Sequence, residues 1–151
     1  MIAVIQRVFS ATVYADGPLS GKISKGLYIL LGVSKSDEEK DATALAEKIS
    51  KLRIFSDENG KMNLSVKDVS GECLVVSNFT LNANYAHGNR PDYFGSAAPE
   101  IASRLYDFFI SELKARDLHC ESGVFGADMR TEMSTDGPVT IVMDSSILLR
   151  K

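Results

Sequence analysis

The sequence lacks the marks of membrane-spanning and secreted proteins. Its longest apolar run, from Leu27 to Val33, is far shorter than the roughly 18 residues that a membrane helix needs. The first residues show no basic region followed by a long apolar stretch, so we expect no secretory leader. We therefore expect a cytoplasmic protein with no membrane partner.

Cysteine and histidine are also scarce, with two of each in the chain. Cys73 and Cys120 belong to no CxxC motif or Cys/His cluster, which argues against a zinc site, and a reducing compartment argues against a disulfide. His87 lies in a predicted loop, and His119 has no acid at a suggestive spacing. Nucleophile-elbow, phosphate-loop, zinc-helix and dinucleotide-binding motifs are absent from the sequence. We expect no metal and no cofactor.

The charge balance excludes one class of nucleic-acid binder. There are 17 Lys and Arg residues against 20 Asp and Glu residues, for a net charge of -3. A protein that wraps duplex nucleic acid needs many cations on one face, because its affinity comes from displacing counterions. Contact with a nucleic-acid end is compatible with this composition.

The residues that are present predict a globular domain. The chain has 151 residues, 44% of them apolar and 25% charged, which is typical of one domain spanning residues 1–151. A long bulged strand from Ile2 to Val13, a turn at 16–18 and a return strand over 19–23 are predicted first. The unbroken apolarity of 27–31 then indicates a central strand that is buried on both faces.

Two helices are predicted in the remainder. A capping box from Ser36 to Glu39 precedes an apolar stripe that runs to Leu52, and Pro99 opens a second helix that ends near Asp117. Strands are expected over 72–81, near 128–133 and near 139–143, with a long irregular loop over 82–95 that is functional or mobile. The pattern favours an α+β protein in which strands outnumber helices.

The segment 77–81, Ser-Asn-Phe-Thr-Leu, is a candidate site because it ends a strand and enters the long loop. Hydroxyls, an amide and turned-out backbone N–H groups can meet a ligand there. The alternative is structural, since Ser, Asn and Thr at a strand end also satisfy nearby backbone groups.

Gly137-Pro138 is the second candidate, although Gly-Pro before a strand is most often a plain turn. In a cis peptide, two neighbouring carbonyl oxygens would form a rigid acceptor pair, with no side chain at Gly137 to obstruct it. Such a pair suits an ammonium group.

Motifs along the whole chain resemble those of the D-aminoacyl-tRNA deacylase family in its bacterial and eukaryotic form. In order, they are Ile5-Gln6-Arg7-Val8, Lys25-Gly26-Leu27, Leu52-Arg53-Ile54-Phe55, Gly60-Lys61-Met62-Asn63, Val76-Ser77 with Phe79-Thr80-Leu81, Arg90-Pro91, Phe125-Gly126-Ala127-Asp128-Met129 and Asp136-Gly137-Pro138-Val139-Thr140. The chain departs from the family pattern at Asn78, where Gln is usual, and at Thr135, where Asn is frequent.

The resemblance implies an α+β fold of β-barrel-like type with two main helices, and a homodimer with active sites at the subunit interface. It implies hydrolysis of the ester that joins a D-amino acid, or glycine, to the terminal adenosine of tRNA. A cis Gly137-Pro138 peptide of one subunit would hold the substrate's α-amino group in the partner's pocket and reject L-amino acids.

By the same resemblance, Ser77, Asn78, Phe79 and Thr80 form the catalytic segment. Backbone N–H groups near Phe79 and Thr80 would stabilise the oxyanion while the tRNA 2′-hydroxyl assists water. Arg7 would support the Gly-Pro peptide, and Phe125 would stack on the adenine. Two alternatives are a hydrolase with Thr80 as nucleophile and a non-catalytic protein that binds aminoacyl-tRNA.

Overall fold

The computed structural model describes residues 1–150 of the chain. Eight strands, three α-helices and one 3₁₀ helix follow one another along it. In order, they are β1 (Ile2–Ala15), β2 (Leu19–Ile23), β3 (Gly26–Gly32), α1 (Glu39–Ser50), β4 (Phe55–Ser56), β5 (Met62–Leu64), β6 (Glu72–Ser77), the 3₁₀ helix (Phe79–Asn82), α2 (Pro99–Lys114), β7 (Cys120–Ser122), β8 (Met129–Asp144) and α3 (Ser145–Leu149).

The main sheet is mixed and nearly closed into a barrel. Its strands follow the order β2-β1-β3-β6-β7, and β8 pairs with the other side of β1. Strands β3, β6 and β7 run parallel to one another, whereas β1 is antiparallel to β2, β3 and β8. The Ser20 hydroxyl donates to the Ser122 carbonyl at 3.0 Å and joins β2 to β7 across the remaining gap. The predicted α+β, barrel-like fold is confirmed.

The sheet is buried on both faces in its centre. Ile29 of β3 and Val75 of β6 belong to the larger core, which lies against the two long helices. Their neighbours Tyr28 and Leu74 belong to a second core inside the curved sheet. Because β3 and β6 supply side chains to two cores at once, their sequences show continuous apolarity instead of alternation.

The first long helix begins later than its sequence pattern predicts. The Glu38 N–H donates to the Asp41 carboxylate at 2.9 Å, and α1 starts at Glu39, so the capping box predicted from Ser36 to Glu39 is wrong. Asp37 instead accepts from the Ser34 N–H at 2.6 Å and holds the chain in a turn before the helix. The predicted apolar stripe is confirmed, since Ala42, Leu45, Ala46 and Ile49 are all buried.

The second long helix starts at Pro99 as predicted and ends at Lys114, before the predicted end at Asp117. Asp117 has a φ of 61°, a left-handed conformation that cannot continue a helix. Leu105, Phe109 and Leu113 pack into the core, whereas Ile101 in the first turn is 45% exposed.

The two predicted C-terminal strands are a single strand, β8, which pairs with β1 along most of its length. The register shifts twice in the middle. The larger shift lies between the Gln6–Thr140 and Val8–Thr135 pairs, and a smaller one follows between Val8 and Ser10. Residues 136–139 therefore bulge out opposite Arg7 without losing the strand on either side. Within residues 1–150, none of the helices combines the length and apolarity that crossing a membrane would take.

Candidate active-site cavity

The candidate catalytic segment lies where β3 and β6 end side by side. Leu31 pairs with Ser77, and the Asn78 N–H donates to the Leu31 carbonyl at 2.8 Å. A Cβ added to Gly32 would lie 2.9 Å from the Leu81 Cβ and 3.0 Å from the Asn78 carbonyl oxygen. Glycine at 32 therefore allows the 3₁₀ helix to fold back tightly over the strand ends.

Asn78 caps that 3₁₀ helix. Its amide oxygen accepts from the Thr80 N–H at 3.2 Å and from the Thr80 hydroxyl at 2.5 Å. The local hydrogen bonding considered as the structural alternative is therefore present. The hydrogen bonds of the described residues leave the Phe79 N–H without an acceptor, so this donor is open to a ligand.

A cavity of about 600 Å³ opens beside this segment. Its walls come from the end of β6, the end of the long loop, the first turn of α2 and the turn before β8. They are formed by residues 77–79, 96–97 and 125–129 together with Tyr93, Pro99 and Ala102. Four of these residues were predicted from the sequence, namely Ser77, Asn78, Phe79 and Phe125.

Aromatic rings shape the cavity. Phe79 and Tyr93 meet edge to face, with ring centroids 4.9 Å apart. Phe125 is half-buried, and its ring centroid lies 6.1 Å from that of the core residue Tyr106. Phe125 thus combines a packing role with a place in the cavity wall. Tyr93 was not predicted to line the site, although it lies in the long loop predicted to be functional or mobile, which was a usable signal.

Within residues 1–150, the cavity wall holds no histidine, and Tyr93 and Asp128 are its only titratable side chains. His87 is exposed in the loop and lies outside the wall. His119 has no acid at a suggestive spacing in the sequence, but the structure places its Nε2 3.1 Å from the Glu121 carboxylate. His119 nevertheless precedes β7, which pairs with the first residues of β6 and so lies at the end opposite Ser77.

The Gly137–Pro138 peptide is cis, and both residues are exposed at the bulge of β8. Neither residue lines the cavity of its own chain, and neither does Thr80. Thr135, the other departure from the family pattern, pairs with Val8 just before the bulge and is exposed.

Arg7 anchors the bulge through the residue that precedes the glycine. Its Nε donates to the Asp136 carbonyl at 3.2 Å, and its Nη2 donates to the Asp136 carboxylate at 3.1 Å. Its Nη1 donates to the Ile54 carbonyl at 2.5 Å. The single ammonium group of a lysine could not make these three contacts together, so the guanidinium of arginine is well matched to this position.

Comparison with known proteins gives a consistent result. A family model described as D-Tyr-tRNA(Tyr) deacylase matches residues 4–144. A protein from Koribacter versatilis named D-aminoacyl-tRNA deacylase is 52% identical over 145 residues, with 96% of this chain and 97% of that protein covered. A protein of the same name from Bacillus cereus strain G9842 is 50% identical over 145 residues, with coverages of 96% and 99%.

Two solved structures share the fold. One, described as a c-Myc DNA unwinding element binding protein, superposes with a TM-score of 0.89 at 38% identity and covers 95% of this chain and 98% of its own. The other, described as a probable eukaryotic D-amino acid tRNA deacylase, gives a TM-score of 0.82 at 13% identity, with coverages of 94% and 97%.

Proposed function

This chain belongs to the D-Tyr-tRNA(Tyr) deacylase family and is a D-aminoacyl-tRNA deacylase, a hydrolase that acts on ester bonds, and from that premise we propose how its residues perform the reaction. The cavity beside Ser77 receives the terminal adenosine at the acceptor end of tRNA. Its volume of about 600 Å³ and its aromatic walls suit a nucleoside. The adenine lies against Phe125, and the aminoacyl ester points to the segment from Ser77 to Thr80.

The open Phe79 N–H is the observation that carries this assignment. Hydrolysis of an ester passes through an oxyanion, which a fixed backbone donor stabilises without having to reorganise. The Thr80 N–H becomes a second donor only when the Asn78 amide oxygen releases it. The Ser77 hydroxyl, half-buried in the wall, hydrogen-bonds the ester or the attacking water.

The 2′-hydroxyl of the terminal ribose assists the attacking water. The lack of a histidine among the described wall residues supports this route, because an aminoacyl ester is already reactive and positioning can supply much of the remaining acceleration. The Thr80 nucleophile has less support. Its hydroxyl donates to an amide oxygen, which is not a base, and its side chain lies outside the wall.

Chiral proofreading is assigned to a second copy of the chain. In a homodimer, the exposed Gly137–Pro138 peptide of one subunit enters the cavity of the other, and its carbonyl oxygens hold the α-amino group of the substrate. An L side chain would then point into backbone, whereas a D side chain points outward and glycine has nothing to exclude. The exposure of both residues and the anchoring of Asp136 by Arg7 support this arrangement.

One set of measurements tests the proposal. The purified protein should hydrolyse D-tyrosyl-tRNA and glycyl-tRNA but not L-tyrosyl-tRNA, and a 2′-deoxy terminal adenosine should abolish hydrolysis. Sedimentation at micromolar concentration should show a dimer. A fully active monomer of 16.4 kDa would contradict the shared site, and a trapped aminoacyl group on the protein would favour the Thr80 alternative. An active fragment much shorter than residues 1–151 would contradict one domain spanning that range.

A further inference from the structure

Two large aromatic side chains of the long loop are unusually exposed. Tyr85 is 81% exposed and Phe94 is 80% exposed, more than any other large hydrophobic residue in residues 1–150. Both lie in the irregular stretch between the 3₁₀ helix and α2. An aromatic ring that is exposed to water does not gain the favourable free energy of burial. Two such rings on one loop therefore indicate a surface that binds a partner.

The loop that carries them is held in place by its own hydrogen bonds. Asn84 and Asp92 exchange two backbone hydrogen bonds of 2.8 and 2.9 Å, and their side chains are joined by a third of 3.0 Å. The Phe94 N–H also donates to the Asp92 carboxylate at 3.2 Å. Each exposed ring is within two residues of this bridge, so both rings are presented on a fixed base.

The loop also continues the cavity wall. Tyr93, next to Phe94 in the chain, lines the cavity and packs on Phe79. The Ser96 hydroxyl, a little further on, donates to the Phe79 carbonyl at 3.4 Å and joins the loop to the cavity rim. Arg90 is exposed in the same loop. The loop that supplies Tyr93 and Ser96 to the cavity wall therefore also carries two exposed aromatic rings and an exposed cation.

We propose that Tyr85 and Phe94 form a stacking surface for the unpaired nucleotides that precede the terminal adenosine of tRNA. This inference rests on the proposed function, since it begins where the adenosine site ends. Aromatic side chains beside a cation are the usual means by which proteins bind single-stranded nucleic acid, because every base has a π-face. A single-stranded end also suits a protein whose net charge is negative, since stacking needs few cations.

The test compares substrates with and without those nucleotides. Tyr85→Ala and Phe94→Ala should each lower kcat/KM for D-tyrosyl-tRNA by about fivefold to 150-fold, the range expected when a stacking ring is removed. Neither variant should change kcat/KM for D-tyrosyl-adenosine, which carries no preceding nucleotide. Tyr85→Phe and Phe94→Tyr should retain wild-type rates, because they keep the ring. Leu19→Ala, at a residue 57% exposed on β2, controls for loss of any exposed apolar side chain.

Direct binding of a fluorescent CCA trinucleotide separates this inference from the proposed function. The alanine variants should bind the trinucleotide less tightly than the wild type by a similar factor. A wild-type protein that hydrolyses neither substrate, while the variants still show this weaker binding, would refute the proposed function but not the stacking surface. Equal losses on D-tyrosyl-tRNA and D-tyrosyl-adenosine, or unchanged trinucleotide binding, would overturn the stacking surface. So would dissociation of the variants into monomers, which would identify the rings as subunit contacts.

Discussion

Gly137→Ala tests the role of the bulge in β8 without touching a titrating group. Gly137 has a φ of 143°, in a region that residues with a side chain rarely occupy. A Cβ at this position would overlap the backbone nitrogen of Val139 and lie 2.9 Å from its Cγ2. The alanine variant can relieve this overlap only by moving residues 136–139, and with them the carbonyl oxygens assigned to the α-amino group.

The size of the effect follows from the backbone strain. Holding alanine in such a conformation costs about 1 to 3 kcal/mol, which lowers the equilibrium constant for the bulge in place against the displaced bulge by about 5- to 150-fold. The apparent kcat/KM for D-tyrosyl-tRNA should fall by up to the same factor, since only protein with the bulge in place binds productively. Any residual activity should discriminate less well against L-tyrosyl-tRNA.

Gly17→Ala provides a matched control. Gly17 also has a positive φ, 113°, but no atom lies within 4 Å of a Cβ built there. Gly17→Ala should lose stability because of its φ alone, and Gly137→Ala should lose at least as much because it adds an overlap with the backbone; each loss is measured as a fall in Tm of about 2 to 4 °C per kcal/mol. Only Gly137→Ala should lose activity. If both variants deacylate D-tyrosyl-tRNA at the same rate, with chirality intact, the bulge does not hold the substrate and the proofreading proposal is refuted.

Four further predictions concern individual side chains. Arg7→Lys keeps the charge but loses the planar guanidinium and its several donors, so Tm should fall by about 2 to 4 °C and the rate of D-tyrosyl-tRNA hydrolysis should fall too. An unchanged rate would show that Arg7 does not support the site. Asn78→Gln should leave the deacylation rate equal or higher, because a longer side chain releases the Thr80 N–H; a large drop would show that the shorter amide is required. Thr80→Ala should retain most activity in single-turnover assays, whereas complete loss would indicate a nucleophile. A hydrogen bond with Cys120 and then burial raise the pKa of the Cys73 thiol well above its usual value. Native protein should therefore react with a thiol reagent at Cys120 first and at Cys73 only on unfolding, as followed by peptide mapping.

The sequence alone was sufficient where structure depends on neighbours along the chain. Strand β2, the turn before it and the stripe of α1 follow from turn residues and from apolar spacing, which act over a few positions. The continuous apolarity of β3 likewise indicated a strand buried on both faces, and the structure confirms it with a core on each side. The end of β6 was singled out because its polar residues follow an apolar run.

The tertiary structure alone decided what depends on distant partners. Residues 128–144 read as two strands because Gly-Pro interrupts the pattern, yet β1 pairs with both halves and keeps them as one strand. Tyr93 precedes α2 in the chain and Phe125 follows it, yet both line one cavity. No periodicity in the sequence predicts that these two residues lie close together. The outward position of Gly137 and Pro138 is likewise set by the register break between β1 and β8. Pairing register and cavity shape arise from contacts between residues far apart in the chain, which local patterns do not specify.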